Sequence, residues 1–251
     1  MKLNIFLSLS LALLLLASCT KDNYDPPGST LTGRVVYQGQ PIGVRTPAVN
    51  NTGGSTTGGV QLELWQRGYQ LFTKIPVYIN QDGTFSASLF DGDYKLVRLG
   101  GAPWQNNTDS IDIQVRGSMS IDVPVVPYFT VNTPSFTFNK TDTTITGTFT
   151  ATQVVAGRTV ESASISVGST QFVDIINCVV SRNGSAAPGT PASITISVNP
   201  ARYPAASQDL IRKKLAELLQ KQYSYLRIGV KTNGVGESIY SSVQKIDLKF
   251  Q

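Results

Sequence analysis

The feature that most restricts the fold of this chain is the regular recurrence of short β-branched runs between glycine-centred turns. Up to residue 127 these runs are Leu31–Tyr37, Val60–Trp65, Ile75–Asn80, Thr84–Phe90, Tyr94–Leu99, Ile111–Val115 and Met119–Val126. Runs of this kind, bounded by Gly, Pro, Asn and Asp, read as strands. Asp82-Gly83, Asp91-Gly92 and Arg116-Gly117-Ser118 fall between them and mark turns, because glycine takes the positive φ that tight turns demand. So many strands in so short a stretch predict an antiparallel β-sandwich. The Asn-, Thr- and Gly-rich segment Arg45 to Gly59 has no periodicity and reads as a mobile loop.

Pro124-Val125-Val126-Pro127 is extended rather than helical and separates a first domain, residues 30–127, from a second, residues 128–251. In the second, Ser135–Asn139, Thr143–Gln153, Ser162–Val167, Val173–Val180, Ser193–Val198, Tyr225–Lys231 and Ile239–Leu248 read as strands. Thr144, Thr146, Thr148 and Thr150 alternate with Ile145, Gly147, Phe149 and Ala151, the period of a strand with one face buried. A second sandwich follows, making the fold class all-β with two antiparallel sandwiches in series. One amphipathic helix interrupts it, over about residues 208–223. Ser207 is its expected cap, Asp209 suits its N-terminus, and Ile211, Leu215, Leu218, Leu219 and Gln222 share one face.

Composition removes several chemistries. Histidine is absent, which excludes Ser-His-Asp and Cys-His catalysis and imidazole-held metals. Paired-carboxylate chemistry needs no histidine, but the 16 Asp and Glu are mostly single, in turns or at strand ends. Asp82, Asp91 and Asp93 lack the spacing of a calcium loop. No phosphate loop, CxxC pair or nucleophile elbow is present. The expectation is therefore a protein that is not an enzyme, with no catalytic residues, no metal and no cofactor. Residues 128–251 carry 12 Lys and Arg against 7 Asp and Glu, with Arg212, Lys213, Lys214 and Lys221 on the helix. Without interleaved aromatics this cluster reads as a solvated helix face, not a nucleic-acid site.

The N-terminus carries a targeting signal. Lys2 precedes the apolar stretch Ile5 to Ala17, too short for a spanning helix but suited to a secretory signal peptide over residues 1–18. Leu16-Ala17-Ser18-Cys19 looks like a lipobox, which makes Cys19 the expected lipidation site and residues 19–29 a polar leash. Two or three acyl chains would hold the protein firmly to a membrane. Lys21-Asp22 resembles the export signal that sends Bacteroidetes-type lipoproteins to the cell-surface side of the outer membrane. The remaining Cys178 has no disulfide partner and reads as a buried structural cysteine in a strand.

Gly33-Arg34-Val35, Gly39-Gln40-Pro41-Ile42-Gly43-Val44, Val60-Gln61-Leu62, Asp82-Gly83-Thr84-Phe85 and Gly92-Asp93-Tyr94-Lys95-Leu96 follow the order seen in carboxypeptidase-regulatory-like, transthyretin-like domains. Tyr225–Lys231, Asn233-Gly234 and Tyr240–Ile246 resemble the last hairpin of fibronectin type III-like or immunoglobulin-like domains. Leu64-Trp65-Gln66-Arg67-Gly68-Tyr69, Gly101-Ala102-Pro103-Trp104 and Pro124–Phe129 look like an uncharacterised two-domain lipoprotein family of Bacteroidetes, a domain of unknown function. Its members are often encoded beside the outer-membrane porin and glycan-binding lipoprotein of polysaccharide-uptake loci. The family's biochemical activity is unknown; the resemblance implies a setting in which that outer-membrane pair, and a polysaccharide or oligosaccharide, are the candidate partners.

Candidate ligand-binding residues follow from sugar chemistry. Trp65 and Trp104 can stack on sugar rings, Tyr69 adjoins Trp65, and Asn106 and Asn107 can bond hydroxyls beside Trp104. The opposite reading, in which both tryptophans plug a core or a domain interface, stays open, since large aromatics are usually buried. The expected function is a non-enzymatic outer-membrane lipoprotein acting as a glycan-binding or docking accessory of polysaccharide uptake. The alternative is a structural surface lipoprotein or adhesin whose sandwiches act as spacers.

Overall fold

The structure, a computed structural model, describes residues 25–49, 56–57, 59–68 and 73–249. The signal peptide, Cys19 and Tyr69 lie outside the described residues. No described helix is long and apolar enough to cross a membrane.

In the first half, β1 (Ser29–Tyr37) and the short β2 (Gln40–Pro41) form a hairpin. β3 (Ala48–Val49) pairs with β4 (Thr56–Thr57), so the segment expected to be a mobile loop holds a short hairpin. There follow β5 (Gln61–Gln66), β6 (Lys74–Tyr78), β7 (Thr84–Leu89), β8 (Gly92–Arg98), β9 (Ser110–Val115) and β10 (Met119–Pro124). One sheet runs β6-β5-β8-β9; the other places β10 on one side of β1, with β7 and β2 on its other side. The pairing of β1 with β10 is parallel, Leu31 opposite Met119 through Val36 opposite Pro124, which departs from a wholly antiparallel sandwich. Leu31, Val35, Phe85 and Val123 from one sheet meet Leu62, Leu64, Tyr94, Leu96 and Val115 from the other in a single core. The alternation of the strands, inward apolar and outward polar, produces that core directly.

The second half contains β11 (Phe129–Asn139), β12 (Thr144–Gln153), β13 (Val160–Gly168), β14 (Val180–Gly184), β15 (Pro191–Ser197), β16 (Tyr223–Thr232), β17 (Ser238–Tyr240) and β18 (Gln244–Asp247). The sheet β11-β12-β15 faces β14-β13-β16, to which β17 and β18 add beside β16. Phe129, Ile145, Phe149, Ile165, Ile194, Leu226 and Ile228 fill the space between them. Helix α1 (Ala205–Lys221) adds Leu215 and Leu218 to that core. Its first turn is broken from the rest at Gln208, which has non-helical angles, and no side chain caps its N-terminus; Ser207 therefore does not serve as the cap. At the other end Gln222 takes the left-handed conformation, its N–H reaching the carbonyls of Leu218 and Leu219.

Val173–Val180 is not a strand until its last residue. Asp174, fully buried, accepts the N–H groups of Ile176 at 2.9 Å and Asn177 at 2.8 Å and the Asn177 side-chain amide at 3.0 Å. This turn outcompetes the ladder, because an aspartate satisfies its own following backbone. Cys178 sits in that loop rather than in a strand, partly buried, its Sγ 3.6 Å from the Ile175 carbonyl. Burial pushes its thiol pKa up.

The halves are joined by main-chain hydrogen bonds and an ion pair. The connecting segment is zipped onto the first domain by Val125 N–H to Val36 O at 2.9 Å, Gln105 N–H to Val126 O at 2.9 Å and Tyr128 N–H to Pro103 O at 3.1 Å. Arg45 donates twice to the Glu237 carboxylate, at 3.0 and 2.7 Å, with both side chains mostly buried. Tyr240 N–H bonds Gly43 O at 2.9 Å, making a β-bridge between domains.

Candidate functional site

The strand β16 alternates across its sheet. Leu226, Ile228 and Val230 enter the core of the second domain, so Tyr225, Arg227 and Gly229 lie on the opposite face. On an isolated sandwich that face would meet water; here Gly43 and Val44, just after β2, and the turn at Gln81 cover it at Arg227. Arg227 is consequently 1 % exposed. Its Nε donates to Ser241 O at 2.7 Å, its Nη1 to Val44 O at 2.9 Å and its Nη2 to Gln81 O at 2.5 Å. Its guanidinium lies 4.8 Å from the centre of the Tyr240 ring. Burial pulls its pKa down to about 10, and burial likewise pushes Tyr240 up to about 12, so at neutral pH the first is charged and the second neutral.

Two glycines permit this close approach. A Cβ on Gly229 would lie 2.7 Å from the Tyr240 ring and 2.9 Å from Ser164 Oγ. One on Gly43 would collide with the Tyr240 carbonyl oxygen and stand 2.7 Å from Arg227 Nη2. Gln81 completes the joint: its side-chain amide donates to Gln171 O at 2.7 Å and accepts from Val173 N–H at 3.3 Å.

Beside this strut the two domains leave a cleft of about 680 Å³. Tyr37 and Gln40 stand on its first-domain wall, Asn132 and Tyr225 on its second-domain wall, with Arg227 and Tyr240 between them. The volume lies within the range of small-molecule binding sites. Aromatic rings contributed by both walls, with amides alongside, offer apolar faces and hydrogen-bonding edges together.

The residues singled out in the sequence do not gather here. Trp104 is 1 % exposed and part of the first-domain core, bridged to Pro127; the large indole fills the sandwich end instead of facing ligand. Its Nε1 is buried without a hydrogen-bond partner. Trp65 is half-buried at the end of β5, opposite Lys74 and Lys95. Asn106 and Asn107 line a separate hollow of about 270 Å³ with Arg98 and Gln105, and Asn107 Oδ1 accepts the Asp109 N–H at 2.7 Å. The acids near the turns also diverge. Asp82 accepts Thr84 N–H and Oγ1, Asp91 meets Ser29 and Gly117 N–H, and Asp93 pairs with Arg116 at 3.3 Å. Among the described residues no three His, Cys, Asp or Glu converge.

The cleft residues Tyr37, Gln40, Asn132 and Tyr225 were missed because they lie on two domains far apart in the chain. The available signal was the outward position of Tyr225 and Arg227 on a strongly alternating strand.

Comparison with known proteins places this architecture. No curated protein matches the chain. The crystal structure of a DUF3823 family protein from Bacteroides ovatus is 36% identical over 88% of this chain and 100% of its own, with a TM-score of 0.69. One from Parabacteroides merdae is 31% identical over 89% and 100%, with a TM-score of 0.71. A protein from Bacteroides uniformis described as a "putative carbohydrate binding protein" shares the fold at 18% identity, covering 88% and 100%, with a TM-score of 0.65. Residues 29–126 match the N-terminal domain of the protein of unknown function DUF3823 and residues 129–245 match the domain of unknown function DUF3823_C, so the chain belongs to the DUF3823 family.

Proposed function

We propose that the protein is a non-enzymatic, lipid-anchored accessory of an outer-membrane polysaccharide-uptake system that binds glycan in the cleft between its two domains. The observation that carries the reading is the cleft itself: tyrosines and amides from both domains around Arg227 and Tyr240. Preorganisation lowers the ordering cost of binding, and the Arg227 and Arg45 contacts supply it. The description of the distant Bacteroides uniformis protein as carbohydrate binding is in keeping with this reading. The lipobox-like Leu16-Ala17-Ser18-Cys19 supports tethering at Cys19 to the outer membrane, on its cell-surface side, where a transporter and its glycan-binding lipoprotein would be the docking partners.

Affinity-gel retardation on a panel of polysaccharides tests the site. Tyr37→Ala and Tyr225→Ala should each abolish retardation while melting cooperatively. Retention of binding in both, with loss in Asn106→Ala or Asn107→Ala, would move the site to the smaller hollow. Capture of the transporter pair without glycan would favour docking, whereas a chain that neither binds glycan nor captures the pair would favour a structural surface lipoprotein or adhesin whose sandwiches act as spacers. Intact mass of the mature product tests acylation at Cys19.

A further inference from the structure

We infer that the cleft selects an uncharged oligosaccharide, its one buried charge, Arg227, being committed to the domain joint and its two exposed charges, Asp82 and Lys245, being of opposite sign. The inference rests on the glycan-binding reading above and narrows the class of ligand. Three charged residues line the cleft: Asp82, Arg227 and Lys245. Each nitrogen of Arg227 donates to a main-chain carbonyl of the domain joint. Asp82 closes its own turn onto Thr84, at 3.1 Å to the N–H and 2.7 Å to Oγ1. Lys245 Nζ stands 4.1 Å from the centre of the Tyr223 ring.

Most of the polar groups left to meet a ligand are neutral. They include the side-chain amides of Gln40 and Gln171, the hydroxyl of Ser242 and the carbonyl oxygen of Asn132; the Asn132 amide nitrogen already donates to Thr152 Oγ1 at 2.8 Å. Amides and hydroxyls both donate and accept, as sugar hydroxyls do. A carboxylate or sulfate entering the cleft would shed water and find only the exposed Lys245 ammonium for an ion pair, a solvent-exposed contact that contributes little. It would also approach Asp82, and the fully buried Asp174 lies within electrostatic reach of Arg227. Discrimination therefore comes from desolvating an acidic sugar where the one buried cation already donates from each of its nitrogens to the domain joint, a cost larger than a single neutral hydrogen bond contributes.

The test titrates the full chain with uncharged polysaccharides (a mannan, a xyloglucan, an arabinan) and acidic ones (polygalacturonate, alginate, chondroitin sulfate) at low and high salt. The expected result is binding of at least one uncharged polysaccharide, changing by less than about twofold with salt, and weakened by Gln40→Ala. Preference for an acidic polysaccharide, with affinity falling about tenfold or more as salt rises, would overturn this inference while leaving the glycan-binding reading intact. Failure of every polysaccharide in both groups would overturn the glycan-binding reading and the inference with it.

Discussion

Arg227→Ala is the perturbation that most directly probes the domain joint. The wild-type guanidinium is 1 % exposed and donates to three main-chain oxygens from both domains. Truncation leaves the Val44 and Ser241 carbonyls without that donor, whereas the Gln81 carbonyl keeps the Val44 N–H at 3.2 Å. A charge-assisted bond contributes about 1.5–3 kcal/mol and a stranded buried carbonyl costs about 1–3 kcal/mol. These are not additive, and the desolvation of the guanidinium is relieved, so the net loss should be about 3–5 kcal/mol. Calorimetry should show one cooperative transition in the wild type and two in the variant, because the lost contacts couple the domains. Arg227→Lys should fall between, since it keeps charge but loses the planar fork. A variant that melts as one transition within about 1 kcal/mol of wild type would refute the strut.

Other consequences are open to similar tests. The mostly buried Arg45–Glu237 pair should give a double-mutant coupling of about 1–3 kcal/mol, measured by urea denaturation. Trp104→Ala should cost about 3–5 kcal/mol by opening the first-domain core, whereas Trp65→Ala, on a half-buried outer face, should cost clearly less in the same assay. Asp91 is held below the usual carboxylate range by Ser29 and the Gly117 N–H, Asp112 by Lys95, and Asp122 by Arg34. Lowered native pKa values stabilise the fold above the unfolded value of about 3.9, and that contribution disappears as pH falls through the native values. All three acids and both tryptophans belong to the first domain, so tryptophan fluorescence against pH should report its loosening below about pH 4; a flat Tm across that window would contradict the assignment.

Strand positions were legible in the sequence wherever one face is buried. Thr144 to Thr150 alternate with Ile145 to Ala151, and β12 buries that apolar set. The helix was legible too, since Leu215 and Leu218 sit on its apolar face and pack inward. Its cap was not: Ser207 lies just before the break at Gln208, where Pro204 and tertiary packing set the entry. Val173–Val180 misled because apolar content favours a strand, while a single buried carboxylate, Asp174, folds the segment into a turn.

Local periodicity tells which face of a strand points away from its own core, because side-chain direction is fixed within two residues. By itself the sequence therefore determined the β-rich class, most strands, and the outward direction of Tyr225 and Arg227. It carries no comparable signal for what comes to lie against that outward face. Only the tertiary structure decided that Val44 and Gln81 would cover Arg227, that Tyr37 would stand across a cleft from β16, and that Trp104 would turn inward. These outcomes depend on contacts between residues far apart in the chain, such as Val44 with Arg227, whose energy exists only once both domains have folded and met.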